Sequence, residues 1–415
     1  MHNQWMEDLE DGKIVAVILV DQSAAFDVCN HKIIESKRRL LGLDSVEWVS
    51  SYLSGRTQNS AIGAALSSPL NLPKASVVQG GVGSGILYNV MTCDLPDVIH
   101  TDHTVSIQDT DHHCNEDGDM VTFVDDATSY YGHQDSVEVT RVINKNFKAI
   151  KVYMNANQLK INSDKTHLLV ICKSGGGEAQ RRVAAERRAA VTLTAGGESI
   201  VQSHSELLLG ATVHYSGNWG TMMRDGKASL QAQLRNRVNA LKKICQYADL
   251  KTRKSVASGL IQSKLQYMLP LFGAAPDYLL RGLQVQQMAA ARAVVGPRCY
   301  RWSNLRILSV LGWLNIKQQY AASTLLLTHK VVTTRKPVNI YRSLVTPYPY
   351  QTRRATQQEL RACAGTVRGR DRTALTLRTF QYQAISLYKR LPSSYRNYTI
   401  GQFKSAARNW ARSNV

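Results

Sequence analysis

Residues 121–132 read Val-Thr-Phe-Val-Asp-Asp-Ala-Thr-Ser-Tyr-Tyr-Gly, and the acid pair Asp125-Asp126 at the centre decides how the chain is read. Apolar and β-branched residues lead into the acids, and small polar residues and a tyrosine pair follow. The pattern predicts a strand over about 121–125, a tight turn carrying the acids, and a second strand from Ser129 to Gly132. Two adjacent carboxylates repel each other unless a cation sits between them. Taken alone, an Asp-Asp dipeptide is more often a solvated turn.

A third carboxylate shifts the balance. Lys13–Val20 reads KIVAVILV, an apolar β-branched run suited to a buried strand, and it ends at Asp21. An acid there is costly unless paired or metal-bound. If the two strands lie side by side, Asp21, Asp125 and Asp126 meet at one sheet edge. Hard oxygen ligands from few side chains suit magnesium better than zinc. Two such ions, roughly 3.5–4 Å apart, are a general solution to phosphoryl transfer.

Further blocks follow in a fixed order. They are VDQSAAFD at Val20–Asp27, with Asn30-His31 and LLGL at Leu40–Leu43; SYLSGRTQ at Ser51–Gln58; Val77–Asn89 with Asp94-Leu95-Pro96; Phe123–Asp126; NQLKINSDKT at Asn157–Thr166; and ELLLG at Glu206–Gly210. Together they resemble a reverse transcriptase of the non-LTR, LINE-type retrotransposon kind. The resemblance implies an α+β fold: a right-hand polymerase palm, an antiparallel sheet backed by helices, then a helical thumb and a helical C-terminal region. The expected domains are a palm over 1–215 with a flexible insertion about 173–190, a thumb over 216–300, and a basic helical region over 301–415. Expected palm elements are strands near 14–20, 121–125 and 167–172, helices near 31–53 and 135–157, and completing strands near 190–194 and 206–214.

The resemblance also implies roles. Asp21, Asp125 and Asp126 would be catalytic and hold two Mg²⁺ ions, with Mn²⁺ as a substitute, and the backbone carbonyl of Gln22 would be a further ligand. Phe26 would lie beneath the incoming sugar and exclude a 2′-hydroxyl. Gln79 and Gly80 would contact the nucleotide and template, and Lys165 would lie near the leaving pyrophosphate. Partners would be an RNA template, a DNA primer and deoxynucleoside triphosphates. In this chemistry the primer 3′-hydroxyl attacks the α-phosphate in line, and the protein positions and stabilises charge.

The second palm motif departs from the family form, which reads close to PQGS-V-LGP-LLFN-INDLP. Val78 replaces proline, Gly81 replaces serine, and Gly83-Ser84-Gly85 replaces Leu-Gly-Pro, a change expected to loosen the segment. Barely a dozen residues precede the first strand, so the resemblance implies that the fingers are missing and the chain is truncated there. The resemblance likewise leads to the expectation of a fragment that carries neither the endonuclease ahead of the palm nor the zinc knuckle after it. These departures favour an alternative: a catalytically silent nucleic-acid-binding remnant. A metal-dependent nuclease using the same acids is a third reading.

Charge is asymmetric. Of 51 Lys+Arg and 31 Asp+Glu, residues 1–172 hold 13 and 22, and residues 173–415 hold 38 and 9. An acidic half that holds metals and a basic half that tracks a phosphate backbone suit a polymerase. In the basic half, Leu230, Leu234, Val238, Leu241 and Ile244 predict an amphipathic helix, whose Arg235, Arg237, Lys242 and Lys243 are candidates for the template–primer duplex. Seven scattered cysteines without CxxC spacing argue for a reducing, intracellular compartment, cytoplasmic or nuclear. His112-His113-Cys114 with Glu116 is a weak zinc candidate. No membrane-length apolar run is visible.

Overall fold

The computed structural model describes residues 1–43, 48–72, 75–100, 118–173, 177–195, 197–346, 359–360 and 376–415. His112–Cys114, Glu116 and Arg353-Arg354 lie outside the described residues. Two compact units are formed: Asp11–Glu206, and Met1–Glu10 together with Leu207–Val415. Residues 1–10, which contribute helix α1 (His2–Glu10), thus belong with the second unit.

The first unit is the palm. Its five-stranded sheet contains β1 (Ile14–Val20), β2 (Asp119–Phe123), β3 (Asp126–His133), β4 (His167–Ile171) and β5 (Gln202–Ser203), in the order β5-β4-β1-β3-β2. All pairings are antiparallel except the short parallel edge between β5 and β4. Strand β1 is central, so a continuous run of Val and Ile fits it, and every residue but Leu19 is buried. The palm helices are α2 (His31–Leu40), α3 (Trp48–Leu53), α4 (Ser84–Met91), α5 (Ser136–Ala156) and α6 (Glu178–Ala189). Helix α5 lays Val139, Val142, Ile143, Phe147, Ile150 and Met154 on the sheet, at spacings of three and four. Burial of each such side chain contributes about 1.5–3 kcal/mol. Asp135 caps this helix by accepting from the Val137 amide at 2.9 Å.

The structure corrects several expected boundaries. The helix expected over 31–53 is two helices, α2 and α3. The strand expected near 190–194 does not join the palm sheet: Leu193–Ala195 pairs locally with Glu198–Ile200, and β5 takes the sheet edge. The insertion, expected to be flexible or briefly helical, contains the helix α6, which buries Ala184 in the palm core and donates from Arg187 to the Gln134 carbonyl at 2.7 Å.

A polar staple joins α2, α4 and α5. Lys37 Nζ donates to Asp94 Oδ1 (2.6 Å), the Met91 carbonyl (2.7 Å) and Tyr153 Oη (2.9 Å), and the Tyr153 hydroxyl donates to Asp94 Oδ1 at 2.5 Å. Burial raises the Asp94 carboxyl, but the bonds from Lys37 and Tyr153 outweigh it and hold the group below the ordinary aspartate range. Removing Lys37 takes three hydrogen bonds from the cluster and leaves the Asp94 carboxylate without its cation, while the Tyr153 hydroxyl still reaches Asp94 and the Met91 carbonyl. Lys37→Met is expected to destabilise the palm by about 1.5–3 kcal/mol, read as a lower urea midpoint at unchanged slope.

The second unit is helical. Its elements include hairpin β6 (Ser205–Leu208)/β7 (Ala211–His214), and helices α7 (Leu230–Ile244), α8 (Asp277–Val295), α9 (Asn304–Leu311), α10 (Ile316–Thr334), α11 (Phe380–Lys389) and α12 (Ile400–Asn414). Leu230, Leu234, Val238 and Leu241 of α7 are buried in a core extending to Tyr320, while Ile244 is 40% exposed. Helix α10 packs against α11 and α12, where His329 stacks on Phe403 with centroids 3.8 Å apart and planes at 3°.

Candidate active site

Strands β1 and β3 pair Val20 with Ala127, and this antiparallel register places Asp21, the next residue, opposite Asp126. Strands β2 and β3 pair Phe123 with Asp126, leaving Val124-Asp125 as a two-residue turn. The acids therefore divide differently from expectation: Asp125 is on the turn, whereas Asp126 opens the strand. Val124 has φ 55°, a left-handed conformation that strains a β-branched residue. Such strain persists where its surroundings fix it: Val124 packs on the palm core, and the carbonyl of the next residue is held by Gln22.

The chief clamp is Gln22. Its buried side chain donates from Nε2 to the Asp125 carbonyl at 2.9 Å, and its Oε1 accepts from the Tyr88 hydroxyl. Behind it, the Asn162 amide donates to the Asp21 carbonyl (2.9 Å), and the Ser23 amide to the Lys160 carbonyl (2.8 Å). The ends of β1 and of the β2–β3 turn are thus fixed to one another through α4 and the loop before β4. Sequence reasoning considered only the Gln22 carbonyl and missed both its side chain and Tyr88. A signal existed: Tyr88 stands where the family form LLFN has phenylalanine, and the added hydroxyl is the one that reaches Gln22.

Phe26 is half-buried, with its ring 5.3 Å from that of Tyr88 at 38°. Its carbonyl accepts from the Val77 amide at 2.7 Å, tying the second motif to the first. Two residues on, Gln79 and Gly80 are exposed, Gly80 with φ 81°. Their turn is held by Ser84 Oγ, which donates to the Val78 carbonyl at 2.5 Å. The glycine-rich segment is therefore a pinned turn leading into α4. Lys165 is exposed on the short turn Ser163–Lys165, three residues beyond Asn162, and its ammonium bonds none of the acids. Asp21, Asp126 and the Asp125 backbone are thus brought together, Phe26 and the Gln79–Gly80 turn are tied to them, and Lys165 shares only their supporting loop.

The electrostatics fit a cation. Desolvation, followed by the negative charges of Asp125 and Asp21, raises the Asp126 carboxyl above the ordinary aspartate range. Hard carboxylate oxygens are the donor set for Mg²⁺ or Mn²⁺. Among the described residues, however, no group of three or more His, Cys, Asp and Glu side chains stands ready to hold a metal ion. The acids are neighbours, not a closed cage.

This gives a pH prediction. A carboxyl with a raised folded-state pKa binds its proton more tightly folded than unfolded. Its contribution to stability is therefore greatest in acid and is lost as pH rises from the unfolded value through the raised one. Asp126→Asn is expected to melt at a higher temperature than the wild type at neutral pH without divalent ions. Mg²⁺ should close that gap by stabilising the wild type alone. Equal melting temperatures under both conditions would remove the repulsion argument.

A family model for reverse transcriptase (RNA-dependent DNA polymerase) matches residues 4–213. The chain belongs to that family. No curated protein matches it. Among the described residues no helix is long and apolar enough to cross a membrane.

Proposed function

We propose that this chain is the RNA-directed DNA polymerase module of a non-LTR retrotransposon, extending a DNA primer on an RNA template with deoxynucleoside triphosphates. The observation that carries the reading is the register that sets Asp21 opposite Asp126, with Gln22 holding the Asp125 backbone beside them. Asp21, Asp125 and Asp126 would hold two Mg²⁺ ions, or Mn²⁺. When bound, such ions lower the pKa of the primer hydroxyl and neutralise the triphosphate. The remaining work falls to the chain. Phe26 blocks the 2′-position of the incoming sugar. Gln79 and Gly80 contact the nucleotide and the template base. Lys165 meets the charge of the departing pyrophosphate.

Residues 216–300 would serve as the thumb, and the basic region 301–415 would assist on the nucleic-acid backbone. Arg235, Lys242 and Lys243 are exposed on α7 and are the thumb's phosphate contacts in this reading. Arg237 serves the fold instead, donating to the Leu260 carbonyl at 3.0 Å, inside the π-helical turn Ser258–Gln262.

A second reading, a catalytically silent nucleic-acid-binding remnant, is favoured by the altered second motif and by the acids' lack of a preformed cage. Primer extension on poly(rA)/oligo(dT) with Mg²⁺ separates the two. The polymerase reading expects extension by the wild type. No extension, with binding that weakens steeply with salt, would leave the remnant.

A further inference from the structure

Trp48, Tyr52 and Arg56 recur at intervals of four on α3 and the turn after it, and their side chains form a column. Trp48 meets Tyr52 edge-on, with centroids 5.8 Å apart and planes at 73°. The Arg56 guanidinium lies over the Tyr52 ring at 4.5 Å and donates to the Tyr52 carbonyl at 3.3 Å. Tyr52 packs on the palm core, but Trp48 at the tip is 57% exposed. A large aromatic held in a fixed pose and left in solvent is a feature of surfaces that take up flat ligands.

The column stands against the altered second motif. A Cβ on Gly81 would lie 3.1 Å from Tyr52 Oη and 2.6 Å from Ser84 Oγ, and one on Gly83 would lie 3.9 Å from Trp48 Cη2. Those are the positions where the family form has serine and leucine. Gly81 leaves room for the Tyr52 hydroxyl, and Ser84 supplies a hydroxyl that pins the turn. The substitutions are thus matched to their neighbours.

Beyond the column lies a groove of about 1250 Å³ lined by Lys32, Arg39 and Arg56; Arg56 is the member of the column that lines it, and Trp48 and Tyr52 stand outside its lining. Its acid, Glu35, is engaged by Arg38 and Ser50, so the free charge of the lining is positive. Exposed aromatics beside cationic grooves bind single-stranded nucleic acid, because every base has a π-face and every linkage a phosphate.

We propose that Trp48 is a stacking platform for an unpaired base of the template strand. Tyr52 and Arg56 fix its orientation, and Arg56, which also lines the groove, leads the strand toward Lys32 and Arg39. This rests on the polymerase reading for the identity of the strand, since the column stands against the second motif at Gly81 and Gly83.

The test is fluorescence anisotropy of a labelled single-stranded RNA with the full chain. Trp48→Ala is expected to weaken binding about 5- to 100-fold, equally at low and high salt, because stacking releases no counterions. Trp48→Phe should retain most of the affinity. Binding of a blunt duplex should be unchanged, and an unaltered thermal melt checks that exposed Trp48 is not needed for folding. Wild-type affinity in Trp48→Ala, or an equal loss on duplex, would overturn the platform. If Trp48→Ala lowers affinity as expected while the wild type fails to extend a primer, the platform stands and the polymerase reading falls. If the wild type extends a primer and Trp48→Ala binds unaltered, the polymerase reading stands and the platform falls.

Discussion

Asp125→Asn is expected to lower primer extension by roughly 10²–10³-fold or more, the scale on which removing one preorganised electrostatic contact acts on a transition state. The substitution keeps the shape of the turn and the backbone carbonyl that accepts from Gln22, so only the charge is lost. Asp119, at the other end of β2, provides the contrast. Its Oδ2 accepts from the Tyr130 hydroxyl at 2.7 Å and its Oδ1 from the Met120 amide at 2.8 Å, a local structural role. Asp119→Asn should therefore extend primers at close to the wild-type rate. Parallel single-turnover assays decide the matter. Equal rates for Asp125→Asn and the wild type would deny the turn a catalytic role.

Phe26→Val is expected to have the second large effect, on sugar choice. The aromatic side chain is held by Tyr88, and its carbonyl is bonded by the Val77 amide, so it is fixed in place beside the turn that carries Gln79. An apolar wall that refuses one added hydroxyl discriminates by about 10²-fold. Shortening the wall should erase most of that ratio. The expected result is ribonucleotide incorporation approaching that of deoxynucleotides, with deoxynucleotide use largely retained. The measurement is the ratio of kcat/KM for matched ribo- and deoxynucleoside triphosphates. An unchanged ratio would separate Phe26 from sugar selection. Loss of the ring contact also costs about 0.5–1.5 kcal/mol, visible in the melt.

Much of the palm was legible because its signals are local. The KIVAVILV run could only be a buried strand, and its end fixed the position of Asp21. The α7 periodicity likewise foretold which leucines would be buried. The extent of the turn was less legible: Val124 adopts a conformation β-branched residues avoid, so β2 stops at Phe123 and Asp126 joins β3. Non-local polar contacts left almost no trace. The Lys37–Asp94–Tyr153 staple joins positions 116 residues apart in the chain at its extremes. The Gln22 clamp on Asp125 spans 103. Arg237 looked like its basic neighbours, yet it is committed to a carbonyl across the unit's own core. A strand does form near 190–194, but Gly197, at φ 97°, turns the chain into a local hairpin instead of along the sheet edge. The second motif looked loosened by its glycines, and only the positions of Tyr52 and Ser84 show what Gly81 accommodates.

Localised cleavage by bound iron tests most directly whether the three acids share an ion. With Fe²⁺ in place of Mg²⁺ and a pulse of ascorbate and peroxide, hydroxyl radicals cut the backbone closest to the metal. The account predicts two coincident cuts, near Val20–Gln22 and near Val124–Ala127, both suppressed by excess Mg²⁺ and both lost in Asp21→Asn. Cuts confined to one of these segments, or a second cut that survives Asp21→Asn, would contradict it.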